Sequence, residues 1–348
     1  MYQGEYSLVG SELSFYTRKL EAQLRFQNIP WQWCFKTPER ASELEARAGT
    51  HFIPLLMTPE KWVIHDTIAL GPMLNDRFPD RPVIPTTPLQ RSCCFILEDA
   101  WNHWLARSCG HTRWCYPDNV NWMGPRMAAN LILDRSVDAP MSEQEMEQLS
   151  GFGQGAHDRF GKPAVDKIGA GADQGESMRA DFKLMMEALH THFAQNDFLL
   201  GPRPCLADFV LAGASKAHYL FDPEPLKWLG EHQNMLSSFT DRFFNEDAAE
   251  DEDWLANDKV PDTLGVILDY LQGSYFPYAK ANVAAGLAGE EYYEYDYGFG
   301  PTRAQPNPQF NMARLHVRDE LNRVHAFDNP AVKALFAGRG ILEYYLED

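Results

Sequence analysis

Residues 51–70 constrain the fold more than any other stretch of the chain. Phe52 to Met57 is a short apolar run, Thr58-Pro59-Glu60 marks a turn, Trp62 to Ile64 is a second apolar run, and Asp66-Thr67 suits a helix opening. The pattern predicts strand, tight turn, strand, helix N-terminus. Pro54 is the anomaly, because proline has no N–H to give a central strand and belongs at an edge, a first position or a bend. It predicts that the backbone of neighbouring Ile53 is left free to pair with an extended, peptide-like ligand, as an added strand does. Asp66-Thr67 beside it offers an acid to an ammonium group and helix-opening N–H groups to a carboxylate. Singly, each feature has a plainer reading, Asp66 as an N-cap and Pro54 as an edge proline. Only their combination points to a site.

Length and charge narrow the function classes. At 348 residues the chain is long enough for two or three domains and a sizeable core. A formal net charge of −18, without a basic stripe, argues against nucleic-acid binding, which needs cations to neutralise phosphates. The opening residues have no basic region followed by an apolar core, and no apolar run approaches a membrane span, so neither a secretory leader nor a membrane segment is expected. Cys34, Cys93, Cys94, Cys109, Cys115 and Cys205 have no metal-ligand or disulfide-scaffold spacing; they read as reduced, mostly buried thiols of a cytoplasmic protein, with no metal site.

Before the constraining stretch, Tyr6 to Gly10 reads as a strand, and Ser14 to Phe26 has helical spacing with Leu20, Leu24 and Phe26 near one side. Trp31 to Phe35 alternates like a second strand, and Thr37-Pro38-Glu39 starts a charged helix that Gly49 closes. The order strand, helix, strand, helix, strand, strand, helix is an α/β layer.

These residues resemble a known family. Ser14-Phe15-Tyr16, Phe52-Ile53-Pro54 and Asp66-Thr67 are similar to the Ser-Pro-Phe or Ser-Pro-Tyr, Lys-Val-Pro and Glu-Ser of serine-type glutathione transferases. Gly201 to Phe209, ending Leu206-Ala207-Asp208-Phe209, resembles the Pro-Ser-Leu-Ala-Asp-Phe that opens the central helix of the family's second domain. The resemblance implies an α/β thioredoxin-like N-terminal domain over residues 1–86, an all-α domain over 87–245, and a further, mostly helical extension over 246–348 packed on the helical domain. It implies glutathione as co-substrate, a small apolar or aromatic electrophile as the other partner, a homodimer, and a detoxification role. The sequence departs from the family at Phe52, which replaces a lysine whose part His51 is expected to take, and at Cys205, which replaces a capping Ser or Thr. Gly71-Pro72 predicts a short or bent helix after Asp66.

The resemblance makes Ser14 the catalytic hydroxyl, with Ser11, Tyr16 and Thr17 as rivals, and Tyr6 too early on its strand. A bound thiol must fall from a pKa of about 8.5 to about 7, some 2 kcal/mol, and one hydroxyl donating to the thiolate supplies roughly 1.5–3 kcal/mol. Ser11, His51, Ile53, Pro54, Asp66 and Thr67 are expected around glutathione, and Tyr16, His111, Arg113 and Trp114 around the electrophile; Asp208, His218 and Asp222 read as structural. The chemistry covers conjugation, ether cleavage, dehalogenation or isomerisation. The alternative is a catalytically silent binding or assembly module; a reductase would need a cysteine where Ser14 stands.

Further along, residues 78–88 are proline-rich and read as a linker, Leu89 to Trp114 as a long helix, and Ser150 to Gly175, rich in Gly and Asp, as a mobile loop. Met178 to Phe193 and Leu206 to Leu220 read as helices, and Asn245 to Asp253 as a solvated acidic run. Val260 to Gly286 and Asn311 to Val324 look helical, while Glu290 to Tyr297 lacks a helical period and suits an aromatic strand or packing loop.

Overall fold

The computed structural model describes residues 4–245 and 252–346, so most of the acidic run lies outside the described residues. The first layer is β1 (Tyr6–Gly10), α1 (Phe15–Phe26), β2 (Trp31–Phe35), α2 (Pro38–Ala48), β3 (Leu55–Met57), β4 (Val63–His65) and α3 (Thr67–Arg77). The four strands lie in the order β2-β1-β3-β4, with β1 parallel to β2 and antiparallel to β3, and β3 antiparallel to β4. β1 is buried throughout, and its alternation sends Tyr6 and Leu8 into one cluster with Leu20, Leu24, Leu56 and Leu70, and Val9 into another with Leu44 and Leu55. This is the thioredoxin-like layer that the sequence implied.

One expectation for this layer narrows and another changes. Of the places open to Pro54 it takes the bend that leads into β3, not an edge, since β3 pairs on both sides and the ladder does not need its missing N–H. The helix after Asp66 is not short: α3 runs through Pro72 to Arg77, with Leu70 and Leu74 packed under the sheet and the Gly71 carbonyl taking the Gln23 side-chain N–H at 3.0 Å. Burial of these leucines outweighs the lost N–H.

Residues 78–87 cross to the helices without being loose, for Val83 and Ile84 are buried and both N–H groups bond Asn75 Oδ1. The helical part begins with α4 (Pro88–Trp114), α5 (Pro117–Leu131), α6 (Glu143–Leu149), α7 (Phe152–Ala156) and α8 (Lys162–Lys167). It continues through α9 (Gly175–Phe193), α10 (Leu206–Ala214), α11 (Pro223–Leu229) and α12 (Gln233–Phe244). The expected mobile loop over 150–175 is instead largely helical, α7 and α8 being joined by a π-helical turn at His157–Gly161. Two of its glycines serve close packing: a Cβ on Gly153 would stand 2.4 Å from the Val120 carbonyl and 2.9 Å from the Gly124 Cα, and one on Gly161 would meet the Trp114 ring at 2.4 Å. Composition had read contact as flexibility.

α10 lies on α1, and a Cβ on Gly213 would fall 2.5 Å from the backbone N of Lys19. Its start is fixed by Asp208, which is fully buried and accepts the N–H groups of Leu199 and Cys205, each at 2.8 Å. Asp208 therefore carries the cap despite the cysteine. Burial pushes its carboxyl up to about 7, against the pull of these donors.

The remainder is α13 (Leu264–Gly273), α14 (Tyr275–Ala288), the hairpin of β5 (Tyr293–Asp296) and β6 (Pro301–Ala304), α15 (Gln309–Arg323), α16 (Pro330–Phe336) and α17 (Ile341–Leu346). The stretch 260–286 is thus broken between two helices at Ser274, and the tyrosine-rich stretch is a strand that buries alternate residues, Tyr293 and Tyr295. The extension packs on the helical part as expected. Trp104 Nε1 donates to the Tyr270 hydroxyl at 2.7 Å, and Asp99 accepts the hydroxyls of Tyr275 at 2.9 Å and Tyr345 at 2.8 Å. All six cysteines are free. No helix among the described residues is long and apolar enough to cross a membrane.

Candidate functional site

The strand register brings three chain breaks to one end of the sheet. Val9 faces Leu55 and Leu55 faces His65, so the loop after β1, the bend before β3 and the residues after β4 leave the sheet side by side. Ser14, Ile53-Pro54 and Asp66-Thr67 occupy these three places.

Ser14 is the N-cap of α1, half-buried, and its Oγ accepts the Thr17 N–H at 3.3 Å. The hydroxyl proton is bonded to none of the described residues and lies at the positive end of a twelve-residue helix. Each rival is buried or has given its proton elsewhere. Ser11, expected at the ligand, is buried and donates to Asn130 Oδ1 at 2.9 Å while accepting the Leu13 N–H at 3.2 Å. Thr17 is fully buried. Tyr16 gives its proton to the Asn102 carbonyl at 2.8 Å; burial above all, with the nearby Cys109 and Asp66, pushes its hydroxyl well above the usual tyrosine range.

The Ile53-Pro54 bond is cis, and Ile53, half-buried, has neither its N–H nor its carbonyl hydrogen-bonded to a described residue. Phe52 is 66% exposed, and the His51 ring lies on it at 4.2 Å. The cation at this bend is Lys36, which sequence reasoning missed: its Nζ reaches the His51 carbonyl at 2.5 Å and Glu45 at 2.6 Å. Nothing in the order of residues marks it, because the contact depends on the end of β2 meeting the bend.

Asp66 is the N-cap of α3 and accepts the Ile68 N–H at 2.9 Å. Its φ of +74° is a left-handed value that an aspartate adopts at a cost of the order of 1–3 kcal/mol, strain of the kind that collects at functional sites. Thr67 beside it is buried and receives Lys19 Nζ at 3.3 Å.

The residues expected around an electrophile separate. His111 is fully buried, Nδ1 lying 3.0 Å from the Ala170 carbonyl, and burial lowers its pKa. Arg113 is buried, paired with Asp222 through Nε at 2.9 Å and Nη2 at 3.0 Å, and bonded to the carbonyls of Ala217 and Leu13. Neither lines a cleft. Arg113 instead anchors the loop that ends at Ser14 to Asp222, which follows α10. Trp114 alone borders a cavity of about 420 Å³, with Val120, His157, Lys162, Val165 and Asp173. Leu13, the residue before Ser14, packs in the same apolar cluster as Trp114, Val120 and Val165.

Comparison with known proteins bears on the helical part. Residues 170–247 match the family model of the glutathione S-transferase C-terminal domain. No curated protein matches the chain. Among solved structures, a glutathione S-transferase of Methylobacterium radiotolerans in complex with glutathione sulfonate is 16% identical, covering 74% of this chain and all of its own, with a TM-score of 0.39. One from Ceriporiopsis subvermispora in complex with glutathione is 16% identical, covering 71% and 99%, with a TM-score of 0.46. One from Rhodospirillum rubrum is 12% identical, covering 75% and 99%, with a TM-score of 0.45. The four-stranded βαβαββα layer is thus followed, in the same chain, by a stretch similar to the glutathione S-transferase C-terminal domain.

Proposed function

We propose that the chain binds glutathione across Ile53 and Asp66-Thr67 and holds its sulfur as a thiolate beside Ser14, for attack on a small electrophile. The observation that carries this reading is the proton of Ser14, given to no described residue, at the N-terminus of α1 and at the same end of the sheet as the unpaired backbone of Ile53. A hydroxyl whose oxygen already accepts a backbone N–H has its proton left to stabilise an anion. With the helix end contributing roughly 0.3–1 kcal/mol more, this matches the amount needed to ionise a thiol near neutral pH. The apolar electrophile is assigned to the cavity bordered by Trp114 and Val120, whose apolar cluster includes Leu13, the neighbour of Ser14. Conjugation, ether cleavage, dehalogenation and isomerisation all use this thiolate. A homodimer is carried forward as part of the same proposal, to be read by sedimentation.

Calorimetry with glutathione, joined to the ultraviolet absorbance of the bound thiolate, tests it. Wild type is expected to bind at millimolar ligand or below, and Ser14→Ala to keep that affinity while the bound thiol's pKa rises by about 1–2 units, the worth of one hydrogen bond to a charged group. An unchanged thiol pKa in Ser14→Ala removes the serine from the mechanism. The exposed Phe52, where the resemblance expects a lysine, favours the second reading, a silent glutathione-binding module; binding and ionisation without turnover of any electrophile would establish it.

A further inference from the structure

Beneath the candidate site lies a lysine that the proposed chemistry does not use. Lys19 on α1 is 2% exposed, and its Nζ donates to Glu98 Oε1 at 2.8 Å, Asn102 Oδ1 at 3.1 Å and Thr67 Oγ1 at 3.3 Å. An ammonium group has three protons, and each finds one acceptor. Glu98 and Asn102 belong to α4, Thr67 opens α3, and Asn102 also takes the Tyr16 proton through its carbonyl.

Packing alone is a poor reason for such a pair. Two charges taken out of water lose their hydration, and well-packed apolar side chains of similar volume serve as well or better for stability. What the lysine does that an apolar residue cannot is fix a proton. Thr67 Oγ1 accepts from a cation, so its own hydrogen must point away from Lys19, and it donates to no described residue. The positive charge behind it strengthens that hydroxyl as a donor. Next to it, Asp66 is exposed and uses one oxygen on the Ile68 N–H, while the other bonds to no described residue. A charge-backed donor beside a carboxylate acceptor is complementary to a carboxylate beside an ammonium group on one carbon.

We infer that Lys19 is a positioning residue that holds Thr67 as a donor and thereby makes this end of the site selective for the zwitterionic amino-acid head of its ligand. The inference rests on the proposed function, which places the γ-glutamyl end of glutathione there. Removing Lys19 alone would strand Glu98, so the test is the double variant K19M/E98Q, which discards both charges and keeps the shape. Three probes are titrated by calorimetry: glutathione, 4-aminobutanoyl-cysteinylglycine, which keeps the ammonium and lacks the carboxylate, and glutaryl-cysteinylglycine, which keeps the carboxylate and lacks the ammonium.

Wild type is expected to prefer glutathione over both analogues by about tenfold or more. In K19M/E98Q, glutathione should weaken by about tenfold and its advantage over the aminobutanoyl analogue should fall to within about threefold, while its advantage over the glutaryl analogue, which depends on Asp66, persists. K19R/E98Q should restore part of the carboxylate preference. A packing role would shift the melting temperature without changing the ranking of ligands, and an unchanged ranking in K19M/E98Q overturns the inference while leaving the proposed function intact. If that variant does not fold, Thr67→Val is read instead: loss of carboxylate preference supports the inference, and retention overturns it. Wild type that binds none of the three sinks the proposed function itself.

Discussion

Ser11 and Ser14 share one loop and differ in where their protons go. The first donates to Asn130 and ties the loop to α5; the second accepts Thr17 N–H and keeps its proton free. Sequence showed both as candidates, because a hydroxyl's direction depends on partners far along the chain. His111 and Arg113 were misread for a related reason. A helix-end His and Arg look available until Ala170, Asp222 and the Leu13 carbonyl close around them. Near Arg113 the buried His218 gives a pH-dependent test. Burial first, and then the Arg113 charge, lower its pKa from 6.5 to about 4, while Asp222 pulls the other way. The unfolded chain therefore binds a proton at this histidine near pH 6.5 that the folded chain refuses until about pH 4, so its contribution is present above that window and lost as pH falls through it. Asp181, raised by burial to about 6, acts with the opposite sign, so the clean readout is a difference between proteins. Urea unfolding of His218→Asn against wild type should show the difference moving in the variant's favour by about 3 kcal/mol between pH 7.5 and 4. A pH-independent difference would mean that His218 takes up its proton alike in the folded and unfolded chains.

At the scale of elements, period and punctuation made β1, α1, β2, α2, α9 and α10 legible, as did the cap at Ser14 and the helix opening at Asp66. What escaped was glycine used for contact, and proline tolerated inside a helix. Gly153 is where α7 crosses α5 with no room for a Cβ, and α3 continues past Pro72 because its leucines are buried. The contact of α1 with α10 is the one on which Ser14 depends. Gly213→Ala would drive a methyl group to 2.5 Å from the Lys19 backbone, forcing α10 off α1. Overpacking of this kind costs typically about 1–3 kcal/mol, and here it also displaces the helix that Ser14 caps. Denaturant titration should show a loss in this range, with glutathione affinity falling alongside; an unchanged midpoint would show that the two helices have slack.

Over the whole molecule, the extension is part of the core. It covers the face of α4 that carries Asp99 and Trp104, and Arg91 pairs with Glu320 across the same boundary. Its apolar content made packing legible in the sequence; the hairpin that covers Tyr293 and Tyr295 was only half legible, because alternation over four residues suits a strand or a loop equally. A chain ending at residue 253 would expose Trp101, Trp104 and Phe95, and is expected to lose its cooperative thermal transition, read by near-ultraviolet circular dichroism. A truncated chain with a sharp transition would make the extension an independent attachment. The central claim, a tripeptide cradle formed where three chain breaks meet at one end of the sheet, is tested most directly by diffraction from crystals soaked in glutathione. The expected density lies along Ile53, with the sulfur within about 3.5 Å of Ser14 Oγ and the amino-acid head against Asp66 and Thr67. Ordered glutathione anywhere else, or none at saturating concentration, contradicts it.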